Sequence, residues 1–176
     1  MKNLRRNPLL IVGAVLVAVQ GCANYPISEP FRTQASPLPI RQALQNPSTA
    51  KGMLVIWGGR ILRTANDPNG SRIYVLELPL DSDERPRDNA PSGGRFIIRS
   101  NSFLDPEVYK ADRLVTLAGE ITGVEAEPID RLQYTYVVLT IREIHVWRHA
   151  PAYEPYPGPW GWRWGWGWGG YPGWYW

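Results

Sequence analysis

The texture of apolar and polar positions changes several times along the chain. Leu9–Val19 (LLIVGAVLVAV) is uninterrupted and apolar, about eleven residues against the roughly 20 that a membrane-spanning helix needs. Ala23–Pro37 is polar and broken by proline, which reads as a tether over residues 22–37. From Met53 to Trp147 apolar residues come in short β-branched and aromatic runs or at alternate positions, the pattern of strands. From Pro151 the chain is almost wholly Trp, Tyr, Gly and Pro.

Pro39–Gln45 predicts a short helix that turns Leu38, Ile40 and Leu44 inward and caps one end of the strand-forming region, with Asn46-Pro47 as its stop. Met53–Leu62 predicts a buried strand interrupted at Gly58-Gly59 by a bulge or bend. Asn66–Gly70 is a dense turn signal and Arg72–Leu78 a second strand. Pro79–Gly94, charged and rich in Pro and Gly, predicts a surface loop, and Arg95–Ser100 a third strand. Asp105-Pro106-Glu107 has the form of a helix start, predicting one or two turns to about Lys110. Leu114–Val124 and Gln133–Trp147 complete the set. In the last of these the apolar phase moves from Val137, Leu139 and Ile141 to Ile144 and Val146, which requires a bulge near Arg142-Glu143. Three strands, a short helix and two strands is the element order of the OB-fold, a five-stranded barrel. The expected fold is therefore mainly β, a small OB-like barrel over 38–150 with one or two short helices; a generic barrel or sandwich is the alternative.

The apolar run ends at Val19-Gln20-Gly21-Cys22, after a start carrying Lys2, Arg5 and Arg6. Basic start, apolar centre and small cleavage residue make an export signal over 1–21. Cys22 is the sole cysteine, so no internal disulfide gives it a structural role. Val19–Cys22 resembles the bacterial lipoprotein signal, in which the thiol takes a diacylglycerol, cleavage falls before the cysteine and the freed amine receives a further chain such as palmitate. Gln20 is bulkier than the usual residue there, and an ordinary secreted protein with a stray cysteine is the alternative. Two or more acyl chains hold a protein stably, where one holds marginally. Ala23 stands where inner-membrane lipoproteins often carry Asp, which favours the inner leaflet of the outer membrane.

Removal of 1–21 from 176 residues leaves 155, a one-domain length, and takes three of the 19 basic residues with it. The remaining 16 cations balance 16 acids, so the domain lacks the net positive charge of a nucleic-acid binder. No P-loop, dinucleotide fingerprint or nucleophile elbow is present. His145 and His149, the two histidines, have no cysteine partner for a zinc site. Neither a cofactor nor an enzymatic activity is expected. Trp57 beside Gly58 and Gly59 is the one interior stretch that could line a groove; a core tryptophan beside bending glycines is the plainer reading.

The segment 151–176 holds seven Trp, four Tyr, seven Gly and five Pro. Trp160, Trp162, Trp164, Trp166 and Trp168 alternate, so an extended chain would present all five on one side, with Trp174 and Trp176 beyond them. Gly and Pro at this density predict a disordered tail. So many aromatic rings predict a contact surface as well, either the membrane–water interface, where Trp and Tyr concentrate, or a glycan or protein partner.

Several stretches together resemble one family: Val55–Ile61 (VIWGGRI), Leu78–Ser82 (LPLDS), Gly94–Ile97 (GRFI), Phe103–Tyr109 (FLDPEVY), Tyr134–Val138 and Trp147. The chain is similar to the Slp family of bacterial outer-membrane lipoproteins over roughly Cys22–Trp147, with Ser102 and Asp112 departing from glycines expected in that pattern. The resemblance implies an outer-membrane lipoprotein of Gram-negative bacteria linked to starvation or stress, and it brings no catalytic residues. A structural or stress-related envelope role is the expectation. The alternative is a periplasmic module binding peptidoglycan, polysaccharide or an envelope protein.

Overall fold

Alternation of inward apolar and outward polar residues closes five strands on themselves. The computed structural model describes residues 25–148; the segment 1–21, Cys22, His149 and the aromatic run 151–176 lie outside the described residues. The strands are β1 (Leu54–Asp67), β2 (Gly70–Leu78), β3 (Arg95–Ser100), β4 (Leu114–Ile129) and β5 (Leu132–Val146). They form a closed barrel in the order β1-β2-β3-β5-β4, with β3 and β5 parallel and all other neighbours antiparallel. This is the OB arrangement. Val55, Trp57 and Ile61, Ile73 and Val75, Phe96 and Ile98, Val115, Leu117 and Ile121, Val137 and Leu139 fill the interior. Each such aliphatic or Phe side chain contributes about 1.5–3 kcal/mol by leaving water.

Among the described residues, three short helices precede the barrel: α1 (Glu29–Gln34), α2 (Ile40–Gln45) and α3 (Pro47–Ala50). The predicted helical cap forms as α2, whose Ile40 and Ala43 join the core beside Ala50 of α3, with Leu38 and Leu44 packed against them. Over its described part, the stretch expected as a tether forms α1, which buries no residue, and meets the barrel at Ile27 and Ser28. Ile27 is 1% exposed, and the Ser28 amide and hydroxyl both donate to Glu143 Oε2, at 2.9 and 2.8 Å.

The helix predicted at Asp105 does not develop beyond a single turn. Asp105 caps as expected, its Oδ1 accepting the Glu107 N–H at 2.9 Å and its carbonyl those of Val108 and Tyr109. The Tyr109 carbonyl, however, accepts the Thr64 hydroxyl at 2.6 Å, and Asp112 turns into the left-handed region at φ 67° to pair with Ile61. The chain must rejoin β1 at once, and helix cannot continue.

Gly58-Gly59 do not interrupt β1 either; the register slips at Leu62, between Ile61 and Arg63. The glycines serve close approach. A Cβ on Gly59 would stand 2.0 Å from the Leu76 carbonyl oxygen, and one on Gly58 2.5 Å from Leu80 and 2.9 Å from Pro86. The bulge predicted near Arg142 is present, since Ala118 faces Glu143 while Gly119 faces Ile141. A second lies at Thr122, just before Gly123 at φ 151°.

Candidate functional site

Trp57 lies on the inward face of β1, 7% exposed, its ring edge-on to Phe96 with centres 5.7 Å apart. Its indole N–H donates to the Leu38 carbonyl at 2.8 Å, tying the segment before α2 to the barrel. The tryptophan is thus a core residue, with only its margin in the shallow groove between that segment and the β1–β2 edge. Leu38, Ile40, Gly58, Glu77 and Leu80 line the groove with it. Gly59 belongs to the contact with β2 instead.

The chemistry of this groove rests on Glu77 of β2, which the strand pattern gave no reason to single out. Burial pushes its carboxyl above the usual carboxylate range, partly offset by the Gly93 N–H at 2.6 Å and the Arg41 charge. Such a group accepts hydrogen bonds from a ligand hydroxyl or amide. Among the described residues, no cluster of three or more His, Cys, Asp or Glu is arranged to hold a metal ion.

In OB-folds the β2–β3 face and the β1–β2 and β4–β5 loops form the surface that takes oligonucleotides or oligosaccharides. Here the chain covers that face itself. Beyond Gly123, β4 and β5 continue as a long hairpin to the turn at Asp130-Arg131. Glu127 accepts hydrogen bonds from the Tyr74 hydroxyl and from Arg72, both at 2.9 Å, and lies 3.7 Å from Arg63. Glu125 pairs with Arg72 and with Arg99. Tyr74, Ile97, Tyr136 and Val138 are buried in a second apolar cluster on the outside of the barrel, where Leu62, Ile129 and Tyr134 join them. Burial, then the bond to Glu127, raises the Tyr74 phenol above its ordinary pKa.

A third surface gathers both ends of the described chain on the outside of β4. The Arg32 guanidinium stacks 3.4 Å from the Tyr25 ring centre and pairs with Glu84 at 2.8 Å. The Glu84 carbonyl accepts the hydroxyl of buried Thr116 at 2.6 Å, and Thr116 Oγ1 accepts the Trp147 indole N–H at 2.9 Å. Arg85 lies 5.1 Å from the Trp147 ring centre, and His145 stands edge-on to the same ring. The sequence singles out Trp147 through the family pattern only; its partners Thr116 and Glu84 come from other segments and carry no motif. Cys22 and the tail tryptophans Trp160, Trp162, Trp164, Trp166, Trp168, Trp174 and Trp176 lie outside the described residues.

A profile of the outer membrane lipoprotein Slp family matches residues 19–176. The chain belongs to this family. Similar proteins include an uncharacterized protein of Haemophilus influenzae, 36% identical over 57% of this chain and 54% of the relative, so that the match spans about half of that protein's length. The uncharacterized lipoprotein YeaY of Escherichia coli is 28% identical over 78% of this chain and 71% of its own. The E. coli outer membrane protein Slp is 27% identical, over 82% and 76%. Among solved structures, Schizosaccharomyces pombe Pot1pC bound to ssDNA is 19% identical over 60% of this chain and 84% of that one, with a TM-score of 0.30, too low to carry an argument. Membership of the Slp family places the protein among outer-membrane lipoproteins.

Proposed function

We propose that Cys22, exposed by removal of residues 1–21 and acylated, holds the protein on the periplasmic face of the outer membrane, where it serves a non-enzymatic structural or stress-related role. The observation that carries this reading is the sequence Val19-Gln20-Gly21-Cys22 after a basic start and an apolar run too short to span a bilayer. The family match begins at Val19 and so includes the cysteine. The aromatic run 151–176 adds contact with the membrane interface, the environment that Trp and Tyr favour. Nucleic acid is not part of this reading, because Glu125 and Glu127 already engage the cations of the OB face.

The groove beside Glu77 favours a second reading, a periplasmic module that grips peptidoglycan, another polysaccharide or an envelope protein. Cell fractionation of the wild type against Cys22→Ala tests the anchor. The wild type is expected to stay in the outer-membrane fraction through alkaline extraction and the variant to be missing from it; equal retention of the two there contradicts it. Deleting 151–176 separates the two functions. Loss of liposome contact by the unlipidated protein supports the interfacial tail, whereas glycan pull-down that survives the deletion and is lost in Glu77→Gln supports the binding module.

A further inference from the structure

Both ends of the described chain leave the barrel from one patch. Tyr25 and Arg32 mark the incoming end; Trp147 and exposed Arg148 mark the outgoing end; Glu84, Arg85 and Thr116 join them. Cys22 precedes Tyr25 by three residues, a reach of about 11 Å even when fully extended. Ile27 and Ser28 are fixed to the barrel, so slack cannot be drawn from further along the chain. A barrel held this closely cannot turn freely above a membrane surface.

We infer that this patch is the membrane-docking face of the barrel, and that its partner is the headgroup layer of a glycerophospholipid leaflet; the inference rests on the acylation of Cys22. Tyr25 and Trp147 are the side-chain types that settle at the interface, and Arg85 and Arg148 are donors for lipid phosphates. Within the patch Glu84 is paired with Arg32 and Glu143 with Ser28, while Glu29, Asp81 and Asp83 lie exposed around it. This mixed charge suits zwitterionic lipid and gives little affinity alone. The short anchor supplies the attachment, and the patch supplies the orientation. The β1–β2 turn then points into the periplasm: Trp147 bonds to the Leu114 carbonyl, Leu114 faces Arg60, and β1 runs on from Arg60 to Asp67, roughly 20 Å.

The test uses full-length lipidated protein reconstituted in phosphatidylethanolamine–phosphatidylglycerol vesicles containing a lipid with a nitroxide headgroup. A fluorophore is attached at Ser82→Cys, in the exposed loop beside Arg85, or at Asn69→Cys, in the exposed β1–β2 turn. Quenching at position 82 is expected to exceed that at 69 at least threefold, and Arg85→Glu is expected to narrow the ratio. Equal quenching, or stronger quenching at 69, in protein that floats with the vesicles overturns the orientation while sparing the anchor. Protein that does not float, with an unmodified Cys22 by mass, overturns both.

Discussion

Gly59 and Glu77 show how single residues fix what the barrel edge can be. Gly59 permits β1 and β2 to approach where a Cβ would meet the Leu76 backbone, and backbone cannot swing aside as a side chain can. Gly59→Ala is expected to destabilise the fold by about 3 kcal/mol, whereas Gly58→Ala, which meets the Leu80 and Pro86 side chains and the Val115 carbonyl oxygen no closer than 2.5 Å, costs less; urea melts of the two variants decide this. Glu77 acts through its proton. Its folded pKa is raised by burial, so between the unfolded and folded values the native state binds more protons than the unfolded chain. Stability therefore falls as pH rises through that window, and the loss is complete above the folded value. Gln at 77 removes this slope while its side-chain oxygen still accepts the Gly93 N–H. Glu77→Gln should gain on the wild type between about pH 4 and pH 7, and denaturation at the two values checks it; a constant difference contradicts the burial argument.

At the scale of elements the β4–β5 hairpin is the feature that departs most from an open OB surface. Ion pairs at partly exposed sites contribute little singly, about 0.2–1 kcal/mol, but the Tyr74 hydroxyl bonded to Glu127 adds a hydrogen bond on top of a buried tyrosine cluster. Glu127→Gln is expected to cost about 1–2 kcal/mol, and Glu125→Gln less. Amide exchange at Tyr134–Tyr136 should rise in the Glu127 variant before the barrel strands respond; unchanged exchange there would show that apolar packing alone holds the hairpin. Much of the barrel was legible from alternation: β3 falls on its predicted residues, the Arg142 bulge follows from the phase change, and α2 follows from its apolar spacing. The hairpin tip was not. Glu125-Ala126-Glu127-Pro128 falls outside both predicted strands: its ladder partners Gln133–Tyr136 are near, but Arg72, Arg99 and Tyr74, which take up its two acids, lie more than twenty-five residues away in sequence. The helix expected after Asp105 stops at one turn for the same kind of reason, since its cap is local but Thr64 and Ile61, which stop it, are not.

For the whole molecule, the proposed attachment and the proposed orientation rest on different parts of the chain. The motif on which the proposed anchor rests is contiguous, four residues at the end of an apolar run, and so stands out in the sequence. The patch that gathers Tyr25, Glu84, Thr116 and Trp147 was not, because it is assembled from four separated segments by barrel closure. The family shows where such proteins reside, and with Cys22 as the proposed anchor the short reach to Tyr25 would limit how the barrel can stand there. The groove beside Glu77, lined by the segment before α2 and by residues of β1 and β2, borders the patch, since Gly58 pairs with Thr116 and Leu80 with Pro86. The most direct measurement is the mass of the first peptide of the mature protein purified from membranes. A peptide beginning at Cys22 and carrying a diacylglyceryl thioether with an acylated amine is the predicted result; one beginning elsewhere, or with a free thiol at Cys22, contradicts the account.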